Sequence, residues 1–352
     1  MFHELNELCL EITNRCLMNC MHCSGNSSID PEACLDSRIV TEVVDDFMQL
    51  GGKLLEISGG EPLIHDELSS VLSHAKSHGL EVRLYTSGTT RTSGLTLYEA
   101  RRLKQAGADK VIFSLEGATA KTHDTITRSP GSFDRAVAGM LNAKSAGIWT
   151  GVHFVPMKLN VDELEALVRL CISLKLDELG ILRFVPQGNG RIHRVRLELS
   201  RDEFAGLILK IVGLRERYDE LSIRTGCPLN FTSIISRGPV EACKVGASTC
   251  VVKPNGDVVP CPAFKQDAGR IMGNVLRERL VKIWNDDEAW AEFRKFDRSL
   301  LKEPCHSCKK IALCAGRCAA QRILNYGDIK SAPDPMCPLV RQDPARGLLV
   351  HA

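Results

Sequence analysis

Between residues 7 and 186 the chain repeats one alternation, a short β-rich run followed by an amphipathic segment of helical length. The runs are "LCLEIT", "KLLEIS", "EVRLYTS", "KVIFSLEG", "WTGVHFVP" and "ELGILRFVP". Helical periodicity fills the gaps, as in "SRIVTEVVDDFMQLG", "ELSSVLSHAKSHG", "TLYEARRLKQAG", "SFDRAVAGMLNAKSAG" and "VDELEALVRLCISLK", several closing on the Gly or Lys expected at a helix end. Strands joined through helices must lie parallel, so the alternation predicts an α/β fold with six parallel strands and functional residues at their carboxyl ends. A sixth helix, "SRDEFAGLILKIVGLRERYDE", opens on Ser200 with Glu203 completing a capping box. Beyond about residue 226 the alternation stops. Gly, Pro and Cys then recur at short intervals, and "VVKPNGDVVPC" predicts a β-hairpin turning at Asn255-Gly256.

With 352 residues the chain is long enough for one large domain and a smaller one. Lys and Arg total 45 against 43 Asp and Glu, which lacks the basic excess of a nucleic-acid or anionic-membrane binder. No apolar run reaches the length of a transmembrane helix, and the acidic residues of "MFHELNELCLEITNRC" are unlike the basic start of a signal peptide. A reducing cytoplasm is the expected location. There the fifteen cysteines read as metal ligands rather than disulfides, because eleven of them fall in two groups.

Cys16, Cys20 and Cys23 form a CxxxCxxC loop after the first strand. Three thiolates can hold three irons of a [4Fe-4S] cube and leave the fourth open to a cofactor or substrate. A zinc knuckle that borrows His22 or His3 is the alternative. At the end of the second strand, "SGGEPL" adds two glycines that permit close backbone approach, and Glu61, which can accept hydrogen bonds from a cationic amine.

CxxxCxxC followed by GGEP resembles the radical S-adenosylmethionine (SAM) enzymes, over roughly residues 7 to 215. The resemblance implies a partial (β/α)6 barrel and a [4Fe-4S] cluster whose open iron is chelated by SAM. It also implies reductive cleavage of SAM to a 5′-deoxyadenosyl radical that abstracts a substrate hydrogen. By the same resemblance Gly59, Gly60, Glu61 and Pro62 receive the SAM amino group, and His22 packs near adenine. Ser87 and Ser114 face the ribose or methionine portion, Arg128 reaches the SAM carboxylate, and Val155 meets adenine through its backbone. Ser at a strand end also serves as a simple cap. His153 and Arg183 are equally well satisfied polar groups inside a barrel, and Glu116 and Arg183 are candidates to face the substrate.

The tail places Cys243, Gly256 and Cys261 in one run, then Cys305, Cys308, Cys314, Cys318 and Cys337. A pair of zinc-ribbon sites would use similar CxxC pairs. The spacing resembles the seven-cysteine SPASM domain, which implies a small Cys-rich α+β domain with two auxiliary [4Fe-4S] clusters. On that pattern Cys243, Cys250, Cys261 and Cys318 hold the first, with Cys250 alternatively a buried strand residue. Cys305, Cys308, Cys314 and Cys337 hold the second. Expected boundaries are 1–218 for the barrel, 219–240 for a junction and 241–352 for the auxiliary domain and tail. Cys9 and Cys171 read as core residues, Cys34 has no partner spacing, and Cys227 lies near the junction.

The resemblance therefore implies an enzyme that oxidises or cross-links a peptide or protein side chain, with an auxiliary cluster taking one electron. A flavodoxin or ferredoxin is the expected donor. Only about eight residues precede the first strand, less than a peptide-recognition domain needs, so a peptide leader is expected to be held by the barrel or by a separate leader-peptide-binding protein. Alternatives are modification of a small molecule or tetrapyrrole side chain, redox-neutral peptide epimerisation, and a non-catalytic metal-binding scaffold.

Overall fold

The computed structural model describes residues 3–29, 33–226, 229, 231–232, 243–314, 316, 318–342 and 349–351. Strands β1 (Glu7–Thr13), β2 (Leu54–Gly59), β3 (Glu81–Thr86), β4 (Lys110–Ser114), β5 (Trp149–Phe154) and β6 (Glu178–Ile181) are all parallel and hydrogen-bonded in chain order. Helices α1 (Ser37–Gln49), α2 (Leu68–Ser77), α3 (Leu97–Ala106), α4 (Ala120–Thr127), α5 (Ser132–Ser145) and α6 (Leu164–Ser173) lie between them. The curved parallel sheet is the expected partial barrel, and its loops after each strand gather at one end.

Local chemistry explains the element ends. Asp36 accepts a hydrogen bond from Ile39 N at the start of α1, and Thr96 with Glu99 forms a capping box on α3. The long helix α7 (Arg201–Arg217) opens on the expected Ser200–Glu203 capping box. Along β1 the period of two sorts the side chains. Leu8, Leu10 and Ile12 are fully buried in one apolar cluster with Val40, Val43, Val44 and Phe47 of α1, whereas Glu11 faces the barrel interior.

The sheet continues into the stretch expected to be a junction. Strand β7 (Ser222–Thr225) pairs parallel with β6, so the barrel layer runs past residue 218. At the opposite edge β8 (Thr249–Val252) pairs parallel with β1, then turns at Gly256 into β9 (Asp257–Val259), and β10 (Gly273–Asn274) completes the order β10-β9-β8-β1 through to β7. The hairpin predicted at Asn255-Gly256 is therefore present, with Gly256 at φ +84°. Strands β8 to β10 of the auxiliary region thus extend the barrel sheet. Helix α8 (Leu280–Trp284) packs on α1, and Arg279 forms a bidentate pair with buried Asp46. Farther on, α9 (Ala319–Tyr326) follows Cys318. No helix among the described residues is long and apolar enough to cross a membrane.

Candidate active site

The loop after β1 carries Cys16, Cys20 and Cys23, and backbone hydrogen bonds from distant segments hold it. Cys16 N donates to Ser28 O, Met21 N to Ile126 O, and Gly190 N to Cys23 O. Asn189 donates through Nδ2 to Cys20 O at 3.2 Å. The β2 turn seals the other side. A Cβ on Gly59 would lie 2.3 Å from Thr13 O, and one on Gly60 would lie 2.1 Å from Arg15 O. Only glycine permits this contact, which the bonds Gly60 N to Thr13 O and Glu61 N to Arg15 O close at 2.7 Å.

All three cysteines line one cavity of about 570 Å3, together with Ser58, Gly59, Gly60, Ser87, Ser114, Glu116 and Val155. The same cavity is also lined by Cys243, Cys261 and Cys318. The cysteines of the loop and of the tail thus share a single chamber.

Several expected site residues have other occupations. Glu61 is fully buried outside the lining, and its carboxylate accepts from Leu63 N, Thr86 Oγ1, Ser87 N and Ser87 Oγ at 2.5 to 3.0 Å. Four donors leave it tying β2 to the end of β3. Burial, only partly offset by these bonds, raises its pKa. Pro62 starts a buried 3-10 turn and also lies outside the lining. Arg128 is exposed at the end of α4, where its Nη2 lies 2.9 Å from His193 Nε2, and it does not line the cavity. Both backbone groups of Val155 are engaged, N–H with Glu116 Oε2 at 3.2 Å and C=O with Asn160 Nδ2 at 3.0 Å.

Both residues expected to face the substrate line the cavity, and each also has a partner within the protein. Arg183 forms a buried bidentate ion pair with Asp334 at 2.7 and 2.9 Å and stacks over Phe204, which ties the end of β6 to the tail. Glu116 lines the cavity, but its Oε1 lies 3.3 Å from His22 Nε2. Burial works against charge on His22, yet the Glu116 charge and hydrogen bond prevail and raise its pKa. His22 Nδ1 is buried without a hydrogen-bond partner, an orphaned atom beside the cavity that a bound nucleoside can satisfy.

The tail cysteines divide into two groups. Cys261 is electrostatically coupled to Cys318 and Cys243, and Cys305 to Cys314, Cys337 and Cys308. Cys250 joins neither. It pairs in register with Leu8 across β1 and β8 and is fully buried in the apolar cluster, while its neighbour Thr249 lines the cavity. Strand alternation turns it to the helix-packed face, away from Cys243, Cys261 and Cys318. Cys171 is a fully buried core residue, and Cys34 is exposed. Cys9 is half-buried in β1, where burial, with Glu56 and Glu11 nearby, holds its thiol well above the ordinary value. Cys227 lies outside the described residues.

The donor set fits iron-sulfur clusters. Burial pushes the thiols of Cys16 and Cys305 up to about 12, so their thiolates need a strongly cationic group to form. A tetrahedral zinc would draw its sulfurs to within about 3.8 Å of one another, given Zn–S bonds of about 2.3 Å. Among the described residues, the only group of three or more His, Cys, Asp or Glu gathered within 4.8 Å is Asp45, His74 and His78. The cysteine groups are not gathered that closely.

Sequence reasoning missed the polar floor of the cavity. Lys265, four residues after Cys261, reaches into the barrel and pairs with Glu11, a buried charged residue at an inward position of β1. That misplaced charge was the available signal. Beside the pair, Tyr85 donates to Glu56 at 2.5 Å, and its ring packs 5.1 Å from His153. Burial, with Arg224 and Arg83 nearby, pushes His153 down to about 3. This ring is therefore neutral at physiological pH.

Residues 10–171 match the Radical SAM superfamily, and residues 243–309 match an iron-sulfur cluster-binding domain, SPASM. The PqqA peptide cyclase of Methylocella silvestris is 30% identical over 349 residues, covering 98% of this chain and 91% of that protein. The AdoMet-dependent heme synthase of Methanosarcina barkeri is 26% identical, covering 93% of this chain and 94% of that protein. Among solved structures, Streptococcus suis SuiB bound to the precursor peptide SuiA superposes with a TM-score of 0.78 at 18% identity, over 96% of this chain and 76% of that one.

Proposed function

Because the chain belongs to the radical SAM superfamily, we propose that it modifies a peptide side chain held in the cavity that both cysteine groups line. It is an enzyme that uses SAM and a [4Fe-4S] cluster, and its C-terminal region is an iron-sulfur cluster-binding domain. The observation that carries the proposal is the shared chamber, lined by Cys16, Cys20 and Cys23 together with Cys243, Cys261 and Cys318. When bound, SAM and the cluster supply hydrogen-abstracting radical chemistry. The protein's own task is to hold one substrate hydrogen in place, exclude water and set the charges around it.

The three loop cysteines hold the SAM cluster, and Gly59 and Gly60 fix the β2 turn against that loop. Glu116 orients His22, whose unpartnered Nδ1 would be available to a bound nucleoside. Cys243, Cys261 and Cys318 hold a redox group against the same chamber, which suits a net oxidation of the substrate. Cys305, Cys308, Cys314 and Cys337 would hold a second auxiliary cluster. The apolar wall of Met18, Leu182, Phe184 and Leu229 shields the reacting carbon, and the Glu11–Lys265 pair with Tyr85 gives the substrate a polar end to bind.

Two peptide-linked relatives favour a peptide substrate, the peptide cyclase by sequence and the SuiB–SuiA complex by fold. The heme synthase relative supports a second reading, chemistry on a tetrapyrrole side chain. The chamber volume lies within the range of a single small-molecule site and has to accept SAM as well, which favours an inserted side chain over a whole macrocycle. The test is to incubate the anaerobically reconstituted enzyme with SAM, a reductant and either a precursor peptide library or a porphyrin propionate substrate. A peptide lighter by two hydrogens is the expected product. A decarboxylated porphyrin with unchanged peptides would overturn the peptide reading.

A further inference from the structure

On the far side of the barrel from the cavity, three side chains converge without any role in the site described above. Asp45 lies in the last turn of α1, His74 in the last turn of α2, and His78 just beyond α2. Both helices run back from the cavity end toward the amino ends of β2 and β3, so the group sits where a barrel's residues serve stability rather than chemistry. His74 and His78 are four residues apart, the spacing that places two imidazoles on one helix face. Their Nε2 atoms lie 2.8 and 3.1 Å from the same oxygen, Asp45 Oδ1, and their rings meet edge to face at 4.9 Å. All three ligand atoms lie within 4.8 Å of one another.

We propose that Asp45, His74 and His78 bind a divalent ion of borderline softness, zinc first, with water at the fourth position. Two imidazole nitrogens and one carboxylate oxygen are the donor set such an ion prefers. Tetrahedral donors at about 2.0 to 2.1 Å from zinc lie about 3.3 Å apart. The observed nitrogen–oxygen separations fall a few tenths of an ångström short, which a small opening of the rings supplies. The side chains are 30% (His74), 35% (His78) and 41% (Asp45) exposed, so a hydrated ion reaches them without unfolding the helices. In the absence of an ion the two imidazoles can share Asp45 Oδ1 as hydrogen-bond donors, and the group is already assembled.

The site has a structural consequence. Asp46, the next residue on α1, is buried and paired with Arg279 of the auxiliary region. An ion on Asp45 would lock α2 to the same turn of α1 that the auxiliary region grips. Cysteine competition is avoided by using the full chain with its clusters loaded.

After exposure to zinc and gel filtration, about one zinc per chain is expected, with a zinc K-edge spectrum showing nitrogen and oxygen near 2.0 Å and no sulfur near 2.3 Å. The thermal midpoint should rise by about 3 °C at saturating zinc. H74A/H78A and the conservative D45N should both lose the zinc, with iron content and 5′-deoxyadenosine formation unchanged. Retention of zinc by the variants, sulfur scattering in the parent, or no zinc retained by the parent would each overturn the site. None of these readouts depends on which substrate the enzyme uses.

Discussion

The two cysteine-rich regions gather their sulfurs by opposite means. The loop after β1 places three cysteines within eight residues, and local chain direction brings them together; distant backbone groups such as Ser28 O and Gly190 N only hold the loop in place. The auxiliary cysteines span Cys243 to Cys337 and meet only because β8 and β9 extend the barrel sheet and α9 returns Cys318 to the cavity. A short loop makes its ligand set from spacing alone. A dispersed set depends on which face of each element a cysteine occupies.

The largest expected effect separates the regions outright. Changing Cys16, Cys20 and Cys23 together to Ala should abolish 5′-deoxyadenosine formation and lower reconstituted iron from about twelve to about eight per chain. If the auxiliary irons were lost as well, the two regions would not be independent in assembly.

Next comes the contact that joins them. Arg183→Ala strands a buried Asp334 carboxylate, which should cost about 3–5 kcal/mol. Thermal unfolding should register this as a drop of roughly 10 °C. A midpoint within a degree of the parent would mean that the tail is not anchored through this pair.

His153 sharpens the comparison from the barrel side. Its folded pKa, near 3, lies below the ordinary value of about 6.5, so the unfolded chain binds more protons between these limits. Stability from this residue is present above about pH 6.5 and lost as the pH falls, by up to about 1.4 kcal/mol per unit. Anaerobic urea denaturation of the parent and of His153→Gln at pH 7.5 and 5.5 should show a flatter profile for the variant. Parallel profiles would contradict the neutral ring.

The smallest effect concerns Cys250. Because it faces the helix-packed side of β8, Cys250→Ala should leave iron content unchanged and cost only about 1 kcal/mol from lost core packing. Loss of about four irons would return it to the ligand set.

These contrasts follow how the chain could be read. The six-strand alternation, the Ser200–Glu203 cap, the hairpin at Gly256 and the first cysteine loop were legible because each is set by residues close in sequence. The occupations of Glu61, Arg128 and Arg183 were not, since their partners Thr86, His193 and Asp334 are distant and a polar side chain carries no mark of where it points. Cys250 illustrates the same limit on a strand. Its distance from Cys243 in sequence suits a ligand, but register with Leu8 turns it the other way, and register is a property of the sheet.

The most direct test of the shared chamber is Cys261→Ala, assayed anaerobically for iron, for 5′-deoxyadenosine and for oxidised peptide in one preparation. The account predicts a loss of about four irons, 5′-deoxyadenosine formed at close to the parental rate, and no net peptide oxidation. Normal peptide oxidation in a variant that has lost those irons would contradict it, because the auxiliary wall of the cavity would then have no part in the reaction.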